Sequence, residues 1–248
     1  MATKPFLILQ LRPEDQAADD ELAAIIKSGR LDRTEVERYR IDQGKLPKVE
    51  LSRYSAVIVG GGPFNLSDPE HVKSDLQKRL EQDLHELLNG IIREDFPYLG
   101  ACYGLGILAD HLGGTVSKGR YAENVEALTI QLTEQAKDDR ITGELLPEFR
   151  AFAGHKESVQ DTPPHSVLLA SSETCPVHMI RHRENIYGTQ FHPELDASGI
   201  ALRINIYRHA GYFPPEDADR LIAAAETEQI IVPPMILENF VNRYRQNA

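Results

Sequence analysis

The chain has 248 residues, of which 41% are hydrophobic and 26% charged, the balance of a soluble globular protein. Its 27 basic and 38 acidic side chains give a net charge of −11, which disfavours nucleic acid and anionic membranes as partners. The first apolar run, residues 6–11, is too short for a signal peptide or a membrane span. Two cysteines allow at most one disulfide. We therefore expect a cytoplasmic protein with free thiols.

The first half of the chain alternates predicted strands and helices. In chain order they are a buried strand at 6–11, a helix at 17–27, a half-exposed strand at 35–41, a buried strand at 54–62, a long helix, a buried strand at 98–101 and a helix at 103–112. Apolar residues at spacings of three and four from Val72 to Ile91 predict the long helix, with Asp68 as its N-cap and Pro69 as its first residue. This alternation predicts an α/β fold, with a mostly parallel central sheet and helices on both faces.

After Gly114 the regular alternation of strands and helices stops. Short segments rich in β-forming residues predict strands at 125–132, 149–153, 167–170, 178–181 and 186–190, and three helices are predicted at 198–210, 215–226 and 234–245. We find no internal repeat and no composition break that would indicate a linker. We therefore expect a single domain over residues 1–248, with a motif-bearing core at about 55–195 and a C-terminal helical extension at 196–248.

The segment GACYG, residues 100–104, lies between a predicted strand and a predicted helix. Small residues around a central Cys102 match the sharp turn that holds the nucleophilic serine of α/β-hydrolases. Such a turn exposes the thiol above the carboxyl end of the sheet, at a helix N-terminus that favours thiolate. It also leaves the Tyr103 N–H free to receive an oxyanion. The alternative interpretation is a buried structural cysteine in a tight turn.

The segment QFHPE, residues 190–194, ends a predicted strand. Proline keeps the residue before it out of the helical region, so His192 is expected to be extended. Side chains two residues apart then point the same way, which lets the Glu194 carboxylate orient the His192 ring. A histidine held in this way can exchange a proton with a cysteine nucleophile. The alternative is a solvated strand end, but the combination with an elbow cysteine favours catalysis.

A run of three glycines, residues 60–62, follows the second buried strand. Glycine lets backbone N–H groups approach a ligand closely. Gly61 or Gly62 would then supply a second oxyanion donor opposite the Tyr103 N–H. A phosphate-binding loop is the alternative, but the spacing matches neither of the common glycine-rich phosphate motifs.

These three segments together resemble the class I glutamine amidotransferase family of the triad type. In that family a GGP loop, a P-x-L-G-x-C-x-G elbow and a G-x-Q-F-H-P-E segment occur in this order, as they do here at residues 61–63, 97–104 and 188–194. The segment GHKESV, residues 154–159, is similar to the family's S-H-x-D-x-V segment. The strongest likeness is to free-standing proteins similar to the amidotransferase domain of GMP synthase.

The resemblance implies a flavodoxin-like three-layer architecture and a glutaminase reaction that needs no metal or organic cofactor. The implied site consists of the nucleophile Cys102, the general base and acid His192, the orienting carboxylate Glu194, the oxyanion donors Gly61, Gly62 and Tyr103, and the substrate contacts Gln190 and His155. Cys102 would attack the side-chain amide of glutamine, and water would hydrolyse the resulting γ-glutamyl thioester. Since about fifty residues follow Leu195, fewer than a usual domain, we expect the ammonia to pass to a separate synthetase, or the protein to act alone as a hydrolase.

Departures from the family pattern keep two alternatives open. Many members carry glutamine four residues after the nucleophile, where it helps to hold the substrate, whereas this chain has Gly106. A γ-glutamyl peptidase or hydrolase acting on another γ-glutamyl compound is therefore an alternative, and a non-catalytic protein with a regulatory or binding role is another. Members commonly have glutamine where His178 falls. We expect His178 and Glu157 at the surface or the pocket rim, and Cys175 to be structural or incidental.

Overall fold

The structure is a computed structural model that describes residues 4–246. Its elements in chain order are β1 (Phe6–Gln10), α1 (Asp15–Ser28), β2 (Val36–Arg40), β3 (Ala56–Val59), α2 (Asp75–Glu94), β4 (Tyr98–Ala101), α3 (Tyr103–His111), β5 (Val116–Ser117), β6 (Glu123–Leu132), β7 (Glu148–His155), β8 (Ser158–Val159), β9 (Ser166–Ser171), β10 (Met179–His182), β11 (Ile186–Thr189), α4 (Ala197–Ile206), α5 (Ala218–Glu226) and α6 (Val232–Tyr244).

Nine strands form one sheet in the order β2-β1-β3-β4-β11-β10-β9-β6-β7, and β5 pairs separately with β8. The strands from β2 to β11 run parallel, whereas β10, β9, β6 and β7 continue the sheet with antiparallel pairings. The order 2-1-3-4 at one side is that of flavodoxin-like doubly wound sheets. The predicted α/β fold is confirmed, and the parallel strands are the ones that end in the three motifs.

Both faces of the parallel strands are covered by helices. Alternate residues of β1 point to opposite faces, so that Ile8 packs with residues of α1 and α6 and Leu9 packs with residues of α2 and α3. Burial on both sides is the physical reason why β1 and β3 appear in the sequence as continuous apolar runs. The predicted three layers are therefore present.

The segment after β11 packs on two parts of this framework. Helices α4 and α5 form a third apolar cluster with the outer side of β6 and β7, and α6 joins the cluster of α1 and β1. Among residues 4–246, no helix is both long enough and apolar enough to cross a bilayer. The expectation of a single domain stays a prediction.

The long helix begins later than the sequence pattern indicates. It starts at Asp75, and its N-cap is Ser74, whose hydroxyl accepts a hydrogen bond from the Gln77 N–H at 3.1 Å. The predicted N-cap Asp68 instead pairs with Lys118, and Val72 is 58% exposed. The prediction was wrong here because long-range contacts hold residues 68–73 in turns. In the C-terminal region, α4 likewise ends at Ile206, four residues before the predicted end.

Candidate active site

Cys102 lies in a strained turn between β4 and α3, with φ 52° and ψ −99°. Backbone of this kind costs a residue with a Cβ on the order of 1–3 kcal/mol. The turn is also crowded, because a Cβ on Gly100 would lie 2.4 Å from the Gly104 carbonyl oxygen, and one on Gly104 would lie 2.9 Å from the Val59 carbonyl oxygen. Only glycine fits at these two positions. The elbow therefore presents the Cys102 side chain at the carboxyl end of the sheet.

The pairing of β4 with β11 brings the second motif to the same edge. The two strands are parallel neighbours, and the Cys102 N–H donates to the Thr189 carbonyl at 2.7 Å, one residue beyond their last paired position. Three residues further on, His192 Nδ1 lies 2.8 Å from Glu194 Oε1. Because a carboxylate only accepts hydrogen bonds, Nδ1 carries the proton and Nε2 is left as a base. A Cβ on Gly61 would lie 2.6 Å from the His192 ring, so glycine is required there too.

A buried arginine from α4 holds the carboxylate of this pair. Arg203 donates from Nη1 and Nη2 to Glu194 Oε1, each at 3.1 Å. Burial alone would raise the pKa of Glu194, but His192 and Arg203 together hold that pKa well below its usual range. Burial lowers the pKa of His192 from 6.5, against the opposing effect of Glu194. At neutral pH the pair is therefore a neutral imidazole beside a carboxylate.

The thiol is protonated in the resting site. Burial raises the pKa of Cys102 to about 11, although the charge of Arg12 acts in the opposite direction. The helix N-terminus does favour thiolate, as expected, because the Tyr103 N–H lowers the pKa of the thiol, but desolvation of the sulfur outweighs this contribution. Cys102 thus needs a proton acceptor when it reacts, and the Nε2 atom of a neutral His192 is one.

Most of the predicted residues line one cavity, whose wall includes Gly62, Cys102, Tyr103, Gly106, His155, Gln190 and His192. Gly61 and Glu194 are not part of that wall but lie against the His192 ring. Gln190 Nε2 lies 3.8 Å from Cys102 Sγ. A Cβ on Gly106 would meet nothing within 4 Å, so the cavity has open space where many family members carry glutamine. Tyr207, Tyr212 and Phe213 also line the cavity. The C-terminal extension thus contributes to the cavity.

The structure changes two expectations about the residues around the cavity, those for His155 and His178, and agrees with the one for Glu157. His155 lies in the cavity wall, but both its ring nitrogens contact protein atoms, Glu123 Oε2 at 2.7 Å and the Glu157 carbonyl at 3.0 Å. This arrangement argues against a polar contact with substrate. Glu157 is at the rim, as expected, and its carboxylate accepts the Leu66 N–H at 2.6 Å. The expected surface or rim position of His178 is wrong, since its side chain is completely buried.

Sequence reasoning missed two buried arginines of the site, Arg12 and Arg203. Arg12 follows β1 at the same sheet edge. Its Nε donates to Glu21 Oε1 at 3.1 Å, and its Nη1 donates to the Tyr207 hydroxyl at 3.1 Å. Its position directly after a buried parallel strand was a usable signal, because ligand sites in such sheets lie at the carboxyl ends of strands. Arg203 carried no such signal, since it appears as an ordinary residue of an amphipathic helix.

Comparisons with known proteins agree with this geometry. The Glutamine amidotransferase class-I family matches residues 19–201. The glutamine-hydrolyzing GMP synthase subunit of Pyrococcus abyssi is 39% identical over 151 residues, 60% of this chain and 71% of that protein. The corresponding GMP synthase subunit of Haloarcula marismortui is 38% identical over 102 residues, 41% of this chain, and the match spans about half (52%) of that relative's length.

A solved structure shows the same fold. A glutamine amidotransferase from Thermotoga maritima superposes with a TM-score of 0.75 at 20% identity, over 97% of this chain and 98% of that one. The family match, by contrast, is a match of sequence, and it covers well over half of this chain. The chain therefore belongs to the class I glutamine amidotransferase family.

Proposed function

We propose that this chain hydrolyses the side-chain amide of glutamine through a thioester on Cys102 and supplies the ammonia to a separate synthetase. The observation that carries the proposal is the convergence, at the carboxyl ends of two neighbouring strands, of the strained Cys102 with the His192–Glu194 pair. A strained nucleophile beside an oriented neutral histidine is the arrangement that acyl transfer requires.

The first half of the reaction forms the thioester. Cys102 Sγ attacks the amide carbon while its proton moves to His192 Nε2, and a tetrahedral oxyanion forms. His192 then returns the proton to the amide nitrogen, the carbon–nitrogen bond breaks, and ammonia leaves. In the second half, water gives a proton to His192 and attacks the thioester. The carbon–sulfur bond breaks, glutamate leaves, and the proton on His192 restores the Cys102 thiol.

Free backbone N–H groups beside Cys102 support the proposed oxyanion hole. Tyr103 is the first residue of α3, so its N–H has no partner within the helix, and it faces the Cys102 sulfur and lowers the pKa of the thiol. The Gly60 N–H bonds the Leu9 carbonyl at 3.0 Å, whereas the N–H groups of Gly61 and Gly62 have no hydrogen-bond partner in the described part of the chain. Donors of this kind, fixed in advance, contribute several kcal/mol to acyl transfer.

The likeness to free-standing glutamine-hydrolyzing GMP synthase subunits supports a separate ammonia-accepting synthetase as partner. Packing supports treating the described residues as one domain, because α6 near the C-terminus shares an apolar cluster with β1 near the N-terminus. Cytoplasmic location stays a prediction.

Hydrolysis of γ-glutamyl peptides is a second candidate function. It is favoured by Gly106, where the cavity is open and a side chain that would hold free glutamine is missing. The leaving group of a γ-glutamyl peptide is larger than ammonia, so it needs open space of the kind found beside Gly106. The alternative of a non-catalytic regulatory role has no such observation in its favour.

The test compares glutamine with γ-glutamyl peptides in a glutamate-release assay, together with intact-mass measurement after mixing. We expect glutamate from glutamine, a γ-glutamyl adduct on Cys102, and loss of both in Cys102→Ala. The variant Gly106→Gln fills the open space and should improve the ratio of glutamine to peptide turnover. A protein that turns over neither substrate and forms no adduct would refute the proposal, and preference for peptides would establish the second candidate.

A further inference from the structure

Four buried side chains with metal-binding atoms meet beside the cavity: Glu123, His155, Cys175 and His178. Their donor atoms all lie within 4.8 Å of one another. Glu123 and His155 are paired across β6 and β7, whereas Cys175 and His178 come from the connection between β9 and β10. The fold thus gathers one carboxylate, one thiol and two imidazoles at a point that is almost closed to solvent.

One imidazole of the cluster lacks satisfactory hydrogen bonds among the described residues. His155 Nδ1 lies 3.0 Å from the Glu157 carbonyl oxygen, and His155 Nε2 lies 2.7 Å from Glu123 Oε2. His178 Nε2 lies 2.9 Å from the same oxygen, yet neither of its ring nitrogens has a hydrogen-bond partner within residues 4–246. A cation at this point would bind the unpartnered His178 nitrogen and the Glu123 oxygen together.

We propose that Glu123, His155, Cys175 and His178 bind one zinc ion as a structural site. Zinc takes thiolate, imidazole and carboxylate ligands in a tetrahedron at about 2.0–2.3 Å, which places ligand atoms roughly 3.3–3.8 Å apart. The separations here, from 2.7 Å to at most 4.8 Å, bracket that range, so small side-chain rotations complete the site.

The types of ligand atoms favour zinc over other metals, and the number of protein ligands favours a structural role. A thiolate with two imidazoles suits zinc, whereas magnesium and calcium prefer oxygen ligands. Four protein ligands fill the tetrahedron and leave no position for a reactive water, which is typical of a structural site. The Glu157 carbonyl orients His155, and the Ser172 hydroxyl donates to Glu123 Oε1 at 2.7 Å. Such outer contacts are the usual support of metal ligands.

The site would hold one wall of the candidate active site. The His178 carbonyl accepts the Gln190 N–H at 2.8 Å, and the His178 ring stacks on Phe191 with an interplanar angle of 19°. Gln190 in turn reaches the Cys102 sulfur. Zinc would therefore fasten the turn at residues 172–178 to the ends of β6 and β7, behind the strand end that carries Gln190. This inference does not depend on which amide or peptide is the substrate.

The test measures zinc in the full chain and characterises its ligands. The Cys102→Ser variant serves as the background, because zinc also binds the reactive thiol of such sites. After removal of metal with a chelator, we expect one zinc per chain on reconstitution and a rise in Tm on the order of 5–10 °C at about hundredfold excess over Kd. Cobalt in place of zinc should give a thiolate charge-transfer band and the visible bands of tetrahedral Co²⁺.

Ligand variants separate this site from adventitious binding. In the Cys102→Ser background, Cys175→Ser should lose the cobalt thiolate band, and both Cys175→Ser and His178→Gln should lose at least tenfold in zinc affinity. His71→Gln, at an exposed position, should keep the band and the affinity. Zinc that stays bound in both ligand variants, or less than a tenth of one zinc per chain, would overturn the proposal. In that case the contact of His155 Nε2 with Glu123 Oε2 is an ordinary hydrogen bond of the core. The cobalt spectrum of the Cys102→Ser protein decides the question even if a ligand variant fails to fold.

Discussion

Replacing Gly100 with alanine tests whether crowding in the elbow holds Cys102 in place. The new Cβ would lie 2.4 Å from the Gly104 carbonyl oxygen, 2.5 Å from its carbon and 2.6 Å from the Tyr98 hydroxyl. Two of these atoms are backbone of the first turn of α3 and cannot rotate away. The strand and the helix must therefore move apart at the point where the nucleophile is positioned.

Overpacking of this kind costs about 1–3 kcal/mol of unfolding free energy. For a chain of this size that corresponds to a fall in Tm of roughly 2–12 °C. A displacement of the reacting sulfur by about 1 Å lowers the rate on the order of a hundredfold. We expect Gly100→Ala to show both effects in differential scanning calorimetry and in the glutamate-release assay.

Gly106→Ala is the matched control for stability, because it makes the same chemical change four residues after Cys102 where a Cβ has no neighbour within 4 Å. Alanine is the better helix former by roughly 0.8–1 kcal/mol, so Tm should rise by about 2–4 °C. A Gly100→Ala protein as stable and as active as the parent would refute the crowding argument. A Gly106→Ala protein that melts below the parent would refute the space assigned to that position.

Three further predictions concern the charges of the site. Burial lowers the pKa of His192, and His192 must be neutral to act as the base. As the pH falls, kcat/KM should therefore decrease with a midpoint below pH 6.5. A midpoint above pH 6.5 would contradict the role of His192 as the base. Arg203→Met removes a charge that lowers the His192 pKa, so the acid side of the kcat/KM profile should move to higher pH. The variant also leaves Glu194 without its arginine, which should cost about 3–5 kcal/mol of unfolding free energy in urea. An unchanged pH profile would be evidence against the contact between Arg203 and Glu194. The rate of Cys102 alkylation by iodoacetamide should keep rising up to about pH 11, whereas a plateau near neutrality would show a resting thiolate.

Local sequence was sufficient for the elbow and for the histidine–glutamate pair. In both, a decisive constraint acts between residues within four positions of each other: Gly100 leaves room for the Gly104 carbonyl in the turn around Cys102, and Pro193 keeps His192 extended with Glu194 on the same side. The alternation of apolar runs and helical periodicity was likewise sufficient for the parallel half of the sheet, because strands buried on both faces must be apolar throughout.

What only the tertiary structure decided depends on contacts between distant segments and on burial. Asp68 pairs with Lys118 instead of capping α2, so Ser74 is the N-cap. The contact of Arg203 with Glu194 depends on where α4 packs. The burial of a single polar side chain leaves no mark in sequence spacing, yet burial raises the pKa of Cys102 and conceals His178 among the four side chains of the proposed zinc site. The sequence by itself indicated which groups we propose to carry the chemistry, whereas their protonation and their neighbours were set by desolvation and long-range packing, which no local pattern encodes.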